Sequence, residues 1–94
     1  MPKGYVYIIT NKNRTVLYTG VTSDLRQRIS DHINKKYPNS FSAKYNLNTL
    51  VYFEVLQTMT QAIARERQLK AGSRAAKVRL IESVNVGWER LDVF

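Results

Sequence analysis

Residues 50–56, Leu50-Val51-Tyr52-Phe53-Glu54-Val55-Leu56, are almost uninterruptedly apolar. A strand with one wet face alternates apolar and polar residues; this run is apolar on both faces and needs cover on both sides. Helices have to supply that cover, which restricts the fold to a small α/β sandwich.

The rest of the chain supplies what such a sandwich requires. Tyr5-Val6-Tyr7-Ile8-Ile9-Thr10 is dense in β-branched and aromatic residues and reads as a strand. Asn11-Lys12-Asn13-Arg14 is a turn, and Val16 to Val21 a second strand, so the two make a hairpin. Ser23-Asp24 offers an N-cap, with Gln27 at capping-box spacing from Asp24. Leu25, Ile29 and Ile33 then repeat every four residues on a helix that should end before Pro38. Residues 37–48 read as a long surface loop holding Phe41, Lys44 and Tyr45; long loops are often functional. A second helix is expected over 60–71 with Gly72 as its stop, and a third from the Ser73 cap to Val84. The tail from Asn85 to Phe94 should fold back on the core. The expectation is a three-stranded antiparallel sheet flanked by helices, order β-β-α-β-α-α, in a single domain over 1–94.

Composition narrows the chemistry. There is no cysteine and one histidine, which excludes disulfides, thiolate zinc or iron–sulfur sites, cysteine nucleophiles and poly-histidine metal sites. Nothing approaches the length of a membrane span, and Met1-Pro2-Lys3-Gly4 lacks the apolar core of a secretory leader, so a soluble cytoplasmic protein is expected. The net charge is +8, with +5 over residues 1–40, neutrality over 41–59, +5 over 60–79 and −2 thereafter. Two basic regions flanking a neutral middle make a polyanion the first partner to consider, against a merely solvated basic surface.

Four features exceed what packing requires. A four-residue hairpin loop would set Tyr7 opposite Tyr18, either as a stabilising aromatic pair or as part of a site. Gly20 lies inside a strand pattern; it marks a bulge or a close approach to a ligand and, taken alone, reads as a bulge. On a helical wheel with Leu25 at zero, His32 and Arg28 fall at about −20° and −60°, bordering the apolar stripe and within reach of the sheet. Glu66 falls among Met59, Ala62, Ile63 and Leu69 on the apolar side of its helix. A carboxylate there needs a partner, either a Lys or Arg or a divalent ion.

This set resembles the GIY-YIG nuclease superfamily. The first tyrosine motif corresponds to Gly4-Tyr5-Val6-Tyr7 and the second to Tyr18-Thr19-Gly20. The arginine ten residues after the second motif's tyrosine corresponds to Arg28, the following His or Tyr to His32, and the glutamate of a later helix to Glu66. Asn85 matches a C-terminal asparagine more loosely. The resemblance spans about residues 4–88 and is greatest to small stand-alone bacterial members. These are akin to the N-terminal nuclease domain of the bacterial excision-repair endonuclease and to the catalytic domains of phage homing endonucleases. The chain departs from the motif in reading Tyr-Val-Tyr for Gly-Ile-Tyr and in placing Thr19 for Ile. Val21 stands where repair enzymes tend to carry a lysine, and no appended DNA-recognition domain is expected.

The resemblance implies a divalent-metal-dependent endonuclease acting on nucleic acid, DNA above all, in repair or processing. It implies one Mg²⁺ or Mn²⁺ held by Glu66, an arrangement normal for a hard cation completed by phosphate and water oxygens. Tyr18 would act as general base or position the water. A phenol with its ordinary pKa of about 10 would need a nearby cation for the first role. Arg28 would neutralise developing phosphate charge, His32 serve as alternative base or relay, and Tyr7 orient Tyr18 and the water. Gly20, Lys35, Lys36, Lys44, Arg65, Arg67, Lys70 and Asn85 would contact the nucleic acid. The competing expectations are a nucleic-acid-binding module that keeps the fold without turnover, and a protein-interaction domain.

Overall fold

The structure, a computed structural model, describes residues 3–93. Met1 and Pro2, the start of the expected leader-free N-terminus, and Phe94, the last residue of the tail expected to fold back, lie outside the described residues. Three strands, β1 (Gly4–Thr10), β2 (Leu17–Thr22) and β3 (Thr49–Leu56), form one antiparallel sheet in the order β2-β1-β3. The helices are α1 (Leu25–Ile33), α2 (Phe41–Lys44), α3 (Met59–Ala71) and α4 (Arg74–Val84). The sheet is covered on both faces around Leu50, Val51 and Tyr52, as the apolar run requires, while Val55 near its end stays exposed. Tyr7, Ile9 and Leu50 pack with Leu25 and Ile29 of α1, with Leu47, and with Leu91 and Val93 of the returning tail. On the other face Val6 packs with Ala62 and Leu69 of α3, and Ile8 and Tyr52 with Ile81 and Trp88.

Each long helix begins where its cap residue lies. Asp24 accepts from the Gln27 amide, Thr58 from Gln61 and Ser73 from Ala76, each satisfying one of the first-turn N–H groups that a helix leaves without a partner. Gly4 lets α3 approach β1: a Cβ there would overlap the Ala62 Cβ and stand 2.9 Å from the Thr58 carbonyl oxygen. Among the described residues no helix is long and apolar enough to cross a membrane.

Three expectations are corrected. The hairpin loop holds six residues, because Asn11 Oδ1 accepts from the amides of Thr15 (2.8 Å) and Val16 (3.2 Å) and keeps both out of the ladder. Thr10 therefore pairs with Leu17, Tyr7 with Gly20 and Tyr18 with Ile9. A shift of two residues keeps every side chain on its face, so the tyrosines remain on one surface as diagonal neighbours. Gly20 is not a bulge; the irregularity lies between β1 and β3, at Ile8/Ile9. The segment 37–48 is not all loop. Ser40 caps α2, which buries Ser42 and Ala43, and Leu47 is fully buried.

Candidate active site

Tyr7 is fully buried, and its ring lies directly over Gly20, where a Cβ would overlap Tyr7 Cζ and Oη. The absent side chain is what lets the phenol cross β2 to reach α1. There its hydroxyl meets His32 Nε2 at 2.9 Å and accepts from Arg28 Nε at 3.3 Å. His32 Nδ1 lies 2.7 Å from Ser42 Oγ on α2. The chain Arg28–Tyr7–His32–Ser42 thus joins β1, α1 and α2. Arg28 has only protons to give, so the tyrosine is left to donate to Nε2. That sets the imidazole proton on Nδ1, facing Ser42.

The electrostatics agree with this arrangement. Burial pushes the Tyr7 phenol up to about 12, against the hydrogen bond from Arg28, so Tyr7 stays protonated at neutral pH. Burial, then the Arg28 charge, pushes His32 down from its ordinary 6.5 to about 4, against the weaker pull of Asp31. The imidazole is therefore neutral. The bond to Tyr7 raises the Arg28 pKa, so the guanidinium stays charged.

An unfolded chain takes up a proton on His32 before the folded one does. Its contribution to stability is complete above pH 6.5 and is lost as the pH falls toward 4. The melting temperature should fall roughly 5–10 °C further between pH 7 and pH 4 in the wild type than in His32→Gln. Parallel melting curves would show that His32 is not buried neutral.

Tyr18 is half-buried on the same surface, its ring centroid 6.4 Å from that of Tyr7 and 5.8 Å from that of His32, edge-on to the imidazole. Lys70 Nζ lies 5.9 Å from the Tyr18 centroid and 3.1 Å from Glu66 Oε2. Glu66 therefore comes to this surface from α3, its side chain 14% exposed and close enough for its charge to be felt at Tyr7. The partner that the sequence demanded for this carboxylate is Lys70. A small cavity of about 70 Å³ lies between Tyr18, Arg28, His32 and Phe41, and a shallower one of about 290 Å³ lies beyond Tyr18 against Lys70 and Lys77. Depressions of about 200 and 410 Å³ near the C-terminal segment contain neither Tyr7, Tyr18 nor Glu66.

Among the described residues no three His, Cys, Asp or Glu side chains converge, so no all-protein metal cage forms. The donor set fits a hard cation held by one carboxylate, because Lys70 binds Oε2 only across a single helical turn, at an exposed ammonium.

The other residues assigned to nucleic acid divide in two. Lys35, Lys36, Lys44 and Arg67 are exposed; Lys35 donates to Asn46 at 2.6 Å, and Lys36 lies 3.9 Å from Asp31. Arg65 and Asn85 have structural partners. Arg65 grips both Glu54 oxygens through Nε at 3.0 and 3.1 Å, on the β3 side of the sheet. Burial alone would raise the Glu54 carboxyl; the hydrogen bonds from Arg65 and Tyr52 outweigh it and hold the carboxyl below its usual range. Asn85 is buried, donating to the carbonyls of Val51 and Glu89 and accepting from the Glu89 amide, and so ties the tail to β3. Ser42 is the residue that sequence reading missed. Its one signal was Ser40 three residues before Ala43, an N-cap spacing inside what read as loop.

A family model described as the GIY-YIG catalytic domain matches residues 3–79. The chain is 35% identical to a UPF0213 protein of Syntrophus aciditrophicus, covering 87% of this chain and 93% of that one. It is 38% identical to a UPF0213 protein of Staphylococcus saprophyticus, covering 86% and 96%. The solution NMR structure of a UPF0213 protein from Bacillus halodurans superposes with a TM-score of 0.58 at 28% identity, over 93% of this chain and 90% of that one.

Proposed function

The chain belongs to the GIY-YIG family, and from that premise we propose that it is a divalent-metal-dependent endonuclease that hydrolyses phosphodiester bonds in DNA. The observation that carries this reading is convergence. Tyr7, Tyr18, Arg28 and His32 come together from β1, β2 and α1, and Lys70 of α3, 5.9 Å from the Tyr18 ring centroid, links them to the Glu66 carboxylate 3.1 Å away.

Phosphodiester hydrolysis needs an activated water, charge relief on the phosphate and stabilisation of the leaving oxygen. Arg28, always charged and anchored by Tyr7, is positioned to bind a phosphate oxygen with its terminal nitrogens while Nε stays on the phenol. Tyr18, half-exposed, orients the attacking water; it can take the water's proton only as the phenolate, after giving up its own proton to solvent. Tyr7 does not serve as the base, since burial keeps its own proton in place; it fixes Arg28 and His32. Glu66 would hold Mg²⁺ or Mn²⁺, which supplies electrophilic charge at the phosphate. Lys35, Lys36, Lys44, Arg67 and Lys70 bind the flanking backbone. The role that follows is repair or processing of DNA in the cytoplasm, by a single catalytic domain.

The test is a screen of plasmid, single-stranded DNA, branched DNA and RNA with Mg²⁺ and with Mn²⁺. Turnover of at least one DNA substrate is expected. Salt-dependent binding without turnover would favour a binding module, and no binding at low salt would favour a protein-interaction domain.

A further inference from the structure

From the small cavity at Tyr18, which Phe41 helps to line, an exposed surface extends that the core does not use. Phe41 and Tyr45 are 49% and 44% exposed, large values for aromatic side chains. Their centroids are 4.8 Å apart, and Phe41 in turn stacks on Tyr18 at 6.2 Å with 29° between the ring planes. Tyr18, Phe41 and Tyr45 thus form a continuous run of rings leading away from the reacting tyrosine. The run is held firmly from below. Ser42 and Ala43 on the opposite side of α2 are buried, Ser42 is tied to His32, and the Leu47 amide donates to the Ser42 carbonyl at 2.8 Å.

An exposed aromatic run of this kind marks an interaction surface, and its charge points to the partner. No acidic residue occurs between Asp31 and Glu54, whereas Lys35, Lys36 and Lys44 all do, and Lys70 caps the run at Tyr18. Aromatic rings interleaved with cations are the chemistry that holds unpaired nucleotides: the rings stack on bases, and the cations follow the backbone. In a duplex the base faces are covered by their neighbours and cannot reach the rings. We propose that Phe41 and Tyr45 form a base-stacking shelf that selects DNA whose nucleotides are unpaired beside the scissile phosphate. The proposal rests on the nuclease reading for its location and on the shelf itself for its substrate.

The experiment measures binding by fluorescence anisotropy, in EDTA and at fixed salt, for one labelled DNA strand alone and in its full duplex. Phe41→Ala and Tyr45→Ala should each weaken single-strand binding about tenfold, the size of one stacking interaction, with little change on the duplex. Phe41→Tyr should restore the preference, and Lys44→Ala should weaken both substrates alike. An abasic site placed opposite the shelf should weaken wild-type binding about as much as Phe41→Ala, and add little in that variant. This arm holds even if one variant folds poorly. Equal losses on strand and duplex, or no loss at all, would overturn the shelf, and so would a surface that binds no DNA. Because the readout needs no turnover, a shelf-dependent strand preference in a chain that never cleaves would overturn the nuclease reading alone. Turnover with shelf-independent binding would overturn the shelf alone.

Discussion

Glu66→Ala is expected to abolish metal-stimulated cleavage and leave the fold intact. Glu66 is the one acidic side chain on α3, and among the described residues no cluster of three ligating side chains forms that could hold the ion without it. Its ion pair with Lys70 spans one helical turn and involves a half-exposed ammonium, a contact worth only a few tenths of a kcal/mol. The melting temperature should therefore move by no more than about 2 °C, while cleavage falls at least about a thousandfold. Glu66→Gln keeps the volume and removes the charge; it should fail equally. DNA binding should hold or tighten, since a negative charge has left a basic surface. Undiminished cleavage by either variant would remove Glu66 from the chemistry.

Gly20→Ala should damage the fold and the activity together. The new Cβ would overlap Tyr7 Cζ and Oη and stand 2.8 Å from Cε1. Tyr7 is fully enclosed and cannot withdraw without giving up His32 and Arg28. Overpacking of this kind costs about 1–3 kcal/mol, and stranded polar groups add to it. A fall of about 10 °C or more in melting temperature is expected, together with cleavage at or near background. The reason for this glycine is the partner strand's tyrosine, with no special backbone angle involved. An alanine variant with wild-type melting and activity would mean that the Tyr7 ring is free to sit elsewhere.

These two residues show how far the sequence could be read. Glu66 was visible because a carboxylate among apolar helix positions demands a partner; that the partner is Lys70, one turn on, was only one of several possibilities. Gly20 stood out, but its purpose depended on the hairpin register. That register depended on Asn11 binding the amides of Thr15 and Val16, an interaction with no periodicity to announce it. The faces survived the error because strand side chains repeat every two residues. The starts of α1 and α4 were legible because Asp24 and Ser73 cap them chemically, whereas α3 was read from about residue 60 and its cap, Thr58, emerged only in the fold. The least legible part was 37–48. A single turn of helix is too short to show a pattern, and Ser42 acquires its role only when α2 docks on α1 and its hydroxyl meets His32. Likewise Arg65 and Asn85 looked available for nucleic acid in a linear sequence. They are engaged in the fold by Glu54 and by the backbone of β3 and the tail.

The most direct measurement is cleavage of an end-labelled single-stranded oligonucleotide by the purified wild-type chain as Mn²⁺ or Mg²⁺ is titrated, followed by EDTA. Cleavage should appear with the metal, saturate, and stop when the chelator is added. Cleavage that proceeds unchanged in EDTA, or a chain that binds the strand yet leaves it, its duplex and a branched form intact at every metal concentration, would contradict a metal-dependent endonuclease built on Tyr18, Arg28 and Glu66.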